Sequence, residues 1–155
     1  MKKLATLIFL SLFIISCGKK EKSGEDFSTS TSTETPATSD YDPQRGLGNY
    51  ENMQLPPNLD HQMAALGEKA SGTKCLSCHK LNSERLVGPG WEGVTVRRTP
   101  EWIMNFITNP DPMIDVDPEL QSQLEICLVR MPNQNISDDE ARQILEYMRQ
   151  NDGVQ

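Results

Sequence analysis

The chain has 155 residues, of which 36% are hydrophobic and 24% are charged, and its formal net charge at pH 7 is −7. This length gives room for one domain of ordinary size. The acidic balance argues against nucleic acid or an anionic lipid surface as a partner, since basic residues hold both.

Residues 1–17 are typical of an export signal. Lys2 and Lys3 form a positive start, an apolar run follows, and Cys17 ends the segment. The run is too short to span a bilayer as a helix. The residues just before Cys17 resemble the lipobox of bacterial lipoproteins, with Ile14 where leucine is usual. This implies lipidation of Cys17, a lipid anchor in a bacterial membrane and a periplasmic location. The alternative is an ordinary signal peptide with an incidental cysteine.

A polar stretch extends from residue 18 to residue 56. Its middle is mostly serine and threonine, and it has too few apolar residues to form a core. We predict that residues 18–56 are a disordered tether with a mean reach on the order of 35 Å. The folded domain is then expected in residues 57–155.

A first helix is predicted between Pro57 and the cysteine pair described next. Asp60 is a candidate N-cap, and apolar residues follow at helical spacing up to Ala70. Gly67 lies on this helix and would let a partner helix approach closely. His61, at the start of the helix, is expected at the surface.

The most informative motif is Cys75-Leu76-Ser77-Cys78-His79. Two cysteines three apart, followed at once by a histidine, are what covalent attachment of a c-type haem requires. The thiols of Cys75 and Cys78 can reach the two vinyl groups of one porphyrin, and the imidazole of His79 can reach the iron. We therefore expect one covalent haem c and a role in carrying electrons.

A Cys-x-x-Cys pair also occurs in zinc ribbons and thiol redox sites. The alternative to a haem is thus a zinc or dithiol site made of Cys75, Cys78, Cys127 and His79. The export signal and the lack of a second Cys-x-x-Cys in the sequence speak against it. Cys127 itself is most simply a small buried apolar residue. A thiol near the haem that competes for the iron or senses redox state is the other interpretation.

A glycine-proline turn, Gly88-Pro89, follows the histidine, with Trp91 just after it. A carbonyl of this turn can lie next to the free ring N–H of His79, which would fix the orientation of the imidazole. We therefore count Pro89 among the residues that bind the cofactor. The alternative is an ordinary loop with a buried tryptophan.

Two further helices are predicted. Thr99-Pro100 begins one and Asn109-Pro110 ends it, and its buried face consists of Trp102, Ile103, Phe106 and Ile107. Ser137 and Glu140 form a capping box at the start of the last helix, which carries one apolar stripe made of Ala141, Ile144, Leu145 and Met148. No segment alternates like a strand, so the predicted class is all-α.

An iron atom bound by His79 alone would have an open face, and Met131 is the best candidate for the opposite ligand. It lies in a predicted loop 52 residues after His79, where Pro132 stiffens the backbone. Met113 is the competitor. The other methionines of the predicted helices favour packing.

The cysteine-histidine motif, the Gly88-Pro89 turn, Met131-Pro132 and the capped last helix occur in this order in class I cytochrome c, which residues 58–152 resemble. The resemblance implies a fold of about four helices around one haem, redox activity, and iron coordination by His79 and Met131.

The resemblance also implies helix contacts and a narrower relationship. In that family the first and last helices cross at a small residue, which Gly67 matches, opposite Tyr147 or Leu145. Segments 102–110 and 128–133 are similar to lipoprotein cytochromes found near nitrous-oxide reductase systems.

Iron held from both sides has no vacant position for a substrate, so the chain is expected to be an electron carrier and not an enzyme. Its iron would cycle between Fe(III) and Fe(II), with redox partner proteins as donor and as acceptor, the latter a terminal reductase or oxidase. The alternative is a haem enzyme or gas sensor with a labile Met131. Basic residues near the haem motif form either a local basic rim or part of a mixed-charge surface: Lys74, Lys80, Arg85, Arg97 and Arg98.

Overall fold

A computed structural model describes residues 41–155. These residues form six helices: α1 (His61–Lys74), α2 (Val94–Arg97), α3 (Pro100–Thr108), α4 (Pro110–Val116), α5 (Pro118–Cys127) and α6 (Asp138–Asn151). Within this part of the chain there is no strand, only an isolated bridge between His79 and Arg85. The all-α class is confirmed, with six helices in place of about four.

The predicted export signal, its Cys17 and the first part of the tether lie outside the described residues. Among residues 41–155, each helix is too short or too polar to cross a bilayer.

The residues predicted to begin the helices are hydrogen-bonded N-caps in the structure. The side chain of Asp60 accepts the backbone N–H groups of Gln62 and Met63 at the start of α1, and that of Thr99 accepts the N–H of Trp102 at the start of α3. Ser137 and Glu140 form the reciprocal capping box of α6. Each cap satisfies N–H groups that have no partner inside their own helix.

Two of the three helices that were not predicted from the sequence, α4 and α5, each begin with a proline in the first turn, whereas the short α2 follows Gly93. Proline fits there because its fixed φ is helical and no backbone N–H is needed. Asn109-Pro110 therefore ends α3 and starts α4 at the same point. Asp117 caps α5 by accepting the N–H groups of Glu119 and Leu120.

The core is built where α1 crosses α6, with α3 packed on α6 as well. A Cβ atom at Gly67 would lie 2.0 Å from the carbonyl oxygen of Gln143 and 2.9 Å from Cβ of Tyr147, so this crossing needs glycine on α1. Tyr147 is thus the residue opposite Gly67. The predicted stripe of α6 is fully buried: Ala141, Ile144, Leu145 and Met148.

One buried carboxylate joins α6 to the segment before α1. Glu146 is 1% exposed, and it accepts hydrogen bonds from the backbone of Asp60, from Arg142 and from Arg149. Arg149 also donates to the carbonyl of Pro56 at 2.6 Å. Burial would raise the pKa of Glu146, but these three donors hold it below its ordinary value.

Residues 41–56 pack on the helices, so the prediction that the tether extends to residue 56 is wrong. Asn105 of α3, which is 1% exposed, holds this segment through three hydrogen bonds. Its amide donates to the carbonyls of Arg45 at 2.9 Å and Tyr50 at 3.0 Å, and its oxygen accepts the N–H of Tyr50 at 3.0 Å. The Tyr41 hydroxyl donates to Asp117. We call residues 41–56 the strap.

The strap also makes apolar contacts with the core. A Cβ at Gly46, whose φ is +73°, would lie 2.4 Å from the terminal methyl carbon of Met113. Four of the strap's side chains pack on the core cluster: Leu47, Tyr50, Met53 and Leu55. The serine and threonine bias ends before the strap begins, which is why the composition of the whole stretch concealed it.

Candidate functional site

The predicted site residues lie around one cleft. A cavity of about 270 Å³ is lined by Cys75, Cys78, His79, Pro89 and Met131, among others. A second cavity, of about 120 Å³, shares four of these, Cys75 being the exception. The shared walls make the two cavities parts of the same cleft.

The cysteine motif folds as a tight turn at the end of α1. Cys75 is the C-cap residue of that helix, and its carbonyl accepts the N–H groups of Cys78 and His79, each at 3.0 Å. Burial raises the pKa of the Cys75 thiol to about 11. The thiol is therefore protonated at neutral pH and is not a ready thiolate ligand.

The zinc alternative lacks its ligand set in the part of the chain that the structure describes. Across residues 41–155, no three side chains of His, Cys, Asp or Glu converge as metal ligands. All three cysteines of this part are free. Cys75 and Cys78 are thus placed for attachment of a group that fills the cleft.

The ring of His79 is oriented by the turn that follows it. Nδ1 lies 2.8 Å from the carbonyl oxygen of Pro89. Because a carbonyl can only accept, Nδ1 carries the proton and Nε2 keeps its lone pair. Burial lowers the pKa of His79, although the Pro89 bond acts in the opposite direction. The side chain is thus a neutral imidazole with one free nitrogen.

The loop from Val87 to Trp91 packs against His79. The N–H groups of Val87 and Gly88 donate to the carbonyl of Cys78 at 3.1 and 2.8 Å. A Cβ at Gly88 would lie 2.4 Å from Cε1 of the His79 ring. The indole of Trp91, which is buried, lies 5.9 Å from that ring, centroid to centroid. The imidazole is therefore held by a backbone bond and by contacts with Gly88 and Trp91.

The structure separates the two candidate methionines. Met131 lines both cavities together with His79, whereas Met113 is fully buried in the core and lines neither. Arg130 donates to Asp111 and Asp115, each at 2.8 Å, and thereby ties the loop of Met131 to α4. Met131 thus remains the predicted ligand opposite His79.

Helix α5 forms a wall of the cleft that the sequence analysis missed. It has no buried residue, and its half-buried side chains line the cavities: Leu120, Gln123, Leu124 and Cys127. Their spacing is one helical stripe, and with Pro118 in the first turn this was a usable signal. Cys127 is therefore a half-buried residue of the cleft wall.

The donor set and the walls fit a covalently attached haem. Two thiols and an imidazole nitrogen lie on one turn, a thioether lies on the same cleft, and apolar side chains line the space between, including Trp91, Phe106 and Ile144. Helix α5, whose side chains toward the cleft are only half-buried, also borders this space. All of these are features that haem c requires.

The basic residues near the motif belong to a mixed-charge surface. Lys74 pairs with Glu140 at 2.8 Å, Lys80 with Glu84 at 2.6 Å, and Arg98 with Glu119 at 2.6 Å. A continuous basic rim is therefore not formed by these side chains. His61 is exposed, as expected.

Comparison with known proteins agrees with this geometry. The family model for cytochrome c matches residues 64–152. A solved cytochrome c from Rhodothermus marinus is 36% identical, with a TM-score of 0.65, and the match covers 68% of this chain and 90% of that one. An engineered form of the Rhodothermus marinus protein is 35% identical over the same shares, with a TM-score of 0.64. No curated protein sequence matches the chain.

Proposed function

Since this chain belongs to the cytochrome c family and binds one covalent haem c for electron transfer, we propose that it is a lipid-anchored periplasmic shuttle. It would deliver electrons to a terminal reductase or oxidase. The observation that carries the electron-transfer role is the single cleft that brings Cys75, Cys78, His79 and Met131 together.

We assign the attachment of the cofactor to Cys75 and Cys78, which would form thioethers with it, and the binding of its iron to His79 and Met131, which would hold it as neutral donors. Haem c, when bound, supplies an iron atom that is reversibly oxidised and reduced by one electron. The carbonyl of Pro89 holds the Nδ1 proton of His79, so that Nε2 is free to bind. His79 and Met131 are both neutral donors. With both in place no position is left for a substrate, so the chain is proposed to be no enzyme.

The anchored location is supported by the sequence of residues 1–17, with its apolar run and Cys17. The narrower acceptor, nitrous-oxide reductase, is supported by the similarity of segments 102–110 and 128–133 to lipoprotein cytochromes of such systems. Both remain proposals for direct test.

Haem attachment and axial ligation are tested on the full chain expressed with a haem-attachment system. We expect haem staining of the denatured gel band and a sulfur-to-iron charge-transfer band in the oxidised protein. Met131→Ala should abolish that band, and the reduced variant should bind carbon monoxide. The matched control, Met113→Leu, should keep the band. Loss of the band in the control alone, or carbon monoxide binding by the reduced wild type, would refute ligation by Met131.

Anchoring and electron delivery are tested separately. Cys17→Ser should move the haem-stained chain from the membrane fraction to the soluble fraction. The reduced holoprotein should be oxidised rapidly by purified nitrous-oxide reductase or by a purified terminal oxidase. Slow oxidation by both enzymes, with fast oxidation by a small inorganic oxidant, would contradict the shuttle role.

A further inference from the structure

The loop that carries Met131, between α5 and α6, is held without backbone hydrogen bonds. Within the described part of the chain, residues 129–136 neither donate nor accept a hydrogen bond between backbone groups. Ile136, which is buried in the core, fixes the end of the loop that leads into α6. A segment with so few backbone bonds opens at low cost unless side chains hold it. The position of Met131 therefore depends on side-chain contacts.

Arg130 supplies most of these contacts. Its Nε donates to the carboxylate of Asp111 at 2.8 Å. Its Nη2 donates to the backbone carbonyl of Asp111 at 2.9 Å and to the carboxylate of Asp115 at 2.8 Å. Among the described residues, the one other hydrogen bond from this loop to the rest of the fold runs from Asn133 to the carbonyl of Thr108, at 3.5 Å. The main anchor of the loop is thus the residue directly before Met131.

The helix that receives Arg130 is itself firmly placed. Asp111 and Asp115 lie one turn apart on α4, so their carboxylates project from the same face. Met113 and Ile114 of the same helix are buried in the core, with 0% and 4% exposure. A planar guanidinium can bind several oxygens at once in fixed directions, which a lysine ammonium cannot do. Arg130 therefore ties the loop to a part of the molecule that does not move with it.

The opposite side of the cleft is held in a different way. The carbonyl of Cys78 accepts two backbone N–H groups of the turn that follows it, and the carbonyl of Pro89 holds the ring of His79. These bonds use backbone acceptors, so they survive the replacement of a surface side chain. Met131 is therefore the proposed ligand whose position depends on one surface residue, Arg130.

We propose that Arg130 is a positioning residue for Met131: its bonds to α4 hold the thioether on the cleft and keep other small ligands out. This rests on the proposed function, in which Met131 binds the iron. Without the anchor, residues 129–136 move more freely and the sulfur leaves the iron more often. A small nitrogen base can then take its place. Arg130 thereby separates an electron carrier from a haem protein with a labile methionine.

The test measures how fast imidazole enters the oxidised, haem-loaded full chain, by stopped-flow absorbance. At saturating imidazole the observed rate constant reaches a limit, which is the rate constant at which Met131 leaves the iron. The variant is Arg130→Gln and the matched control is Lys80→Gln, which removes the same charge next to His79. The side chains of Arg130 and Lys80 are 38% and 41% exposed, and both are paired with carboxylates.

We expect Arg130→Gln to raise the limiting rate constant about tenfold, because three hydrogen bonds no longer hold the loop. Arg130→Lys, which keeps the charge but not the planar fork, should raise it about threefold. The double variant Asp111→Ala, Asp115→Ala should raise it about fivefold, since the bond to the backbone carbonyl remains. Adding Arg130→Gln to the double variant should give no more than Arg130→Gln alone. Lys80→Gln should stay within about twofold of the wild type.

An unchanged limiting rate constant in Arg130→Gln would overturn the proposal. So would an equal rise in Lys80→Gln, which would indicate a general effect of charge, or a rise in Arg130→Gln with none in the double alanine variant. If circular dichroism shows that Arg130→Gln has lost helix, the double alanine variant decides alone. The proposed function fails in a different way: a wild-type protein without the sulfur-to-iron band would exclude Met131 as a ligand, whatever Arg130 does.

Discussion

At the scale of the residue, the position of His79 depends on Gly88. A side chain at Gly88 would overlap the imidazole, since its Cβ would lie 2.4 Å from Cε1 and 2.8 Å from Nδ1. The loop cannot withdraw without breaking its two hydrogen bonds to the carbonyl of Cys78. The position of the His79 ring is therefore fixed by the Gly88-Pro89 turn.

We predict that Gly88→Ala lowers the free energy of unfolding by about 1–3 kcal/mol, because the added methyl group displaces either the ring or the loop. It should also shift the visible spectrum of the holoprotein. Urea unfolding and absorbance measure the two effects. Gly72→Ala is the control, since Gly72 lies exposed on α1 with nothing within 4 Å of its Cβ position. That variant should gain about 0.5–1 kcal/mol; equal stability of the two variants would contradict the prediction.

The sequence predicted those residues whose roles are local. The caps at Asp60 and Ser137 depend on neighbours two or three positions away, and the contact of His79 with Pro89 spans a short loop. The sequence favoured Met131 over Met113 but left Met113 as a competitor, because each lies beside a proline outside the helices predicted from the sequence. The structure distinguishes them, because Met113 packs beneath Gly46 in the core whereas Met131 lines the cleft.

At the scale of the element, Glu146 makes the crossing of α1 and α6 sensitive to acid. The carboxylate is buried and receives three donors, which hold its pKa below the ordinary value of 4.5. A lowered pKa in the folded state means that the unfolded state binds protons first as the pH falls. The stability contributed by Glu146 is thus present above about pH 4.5 and is lost as the pH falls through the folded pKa.

We predict that Glu146→Gln lowers the free energy of unfolding by about 3 kcal/mol at pH 7, since Arg149 is left buried without its charge partner. The variant should also lose less stability than the wild type between pH 6 and pH 3. Urea unfolding at several pH values checks both. As the control, Glu84→Gln removes an exposed pair with Lys80 and should leave stability unchanged. A parallel pH dependence in Glu146→Gln and wild type would refute the assignment.

Two of the helices that were not predicted from the sequence, α4 and α5, were missed for the same reason. Pro110 and Pro118 were treated as ends, or were passed over, although proline also begins a helix. α5 has a weak pattern because its inner face borders the cleft and carries a glutamine and a cysteine with its leucines. A helix that packs on a cofactor needs fewer apolar side chains on its inner face than a helix that packs on α6.

The cofactor is therefore expected to matter most for α5. The double variant Cys75→Ala, Cys78→Ala prevents haem attachment. We predict that it removes hydrogen-exchange protection from residues 118–127 while α1 and α6 keep theirs. The reason is that α1 and α6 bury side chains against each other, whereas α5 has no buried residue. Exchange measured by mass spectrometry tests this. Protection of α5 equal to that in the holoprotein would show that the helix is stable without haem.

At the scale of the whole molecule, the strap extends the folded domain toward the N-terminus. It crosses α3 through Asn105, and the Tyr41 hydroxyl reaches Asp117 at the start of α5. Sequence reasoning missed it because its main partner is distant along the chain: Asn105 lies 60 positions after Arg45 and 55 after Tyr50. A long-range contact of a single asparagine leaves no periodic pattern in the sequence.

We predict that Asn105→Ala releases the strap. Three hydrogen bonds are lost and the backbone groups of Arg45 and Tyr50 are left unpaired, so the free energy of unfolding should fall by about 2–3 kcal/mol. Limited proteolysis should then cut within residues 41–56, whereas the wild type, with its bonds to Asn105 intact, should resist cleavage there. The control is Asn133→Ala, at an exposed asparagine whose side chain donates to the carbonyl of Thr108 at 3.5 Å and accepts the N–H of Asn135 at 2.8 Å, but does not contact the strap through a hydrogen bond. Equal resistance of Asn105→Ala and wild type to protease would argue that apolar contacts alone hold the strap.

The strap also determines how the domain bears mechanical load. A pull applied through residue 41 from the N-terminal side meets the bond of Tyr41 to Asp117 and then those of Asn105, before any force reaches α1. These bonds would break one after another and not all at once. Helix α6 would bear load only through the bonds of Tyr50 to Asp138 and of Arg149 to Pro56, and helix α1 and the turn that carries His79 would bear none until residues 41–56 had detached.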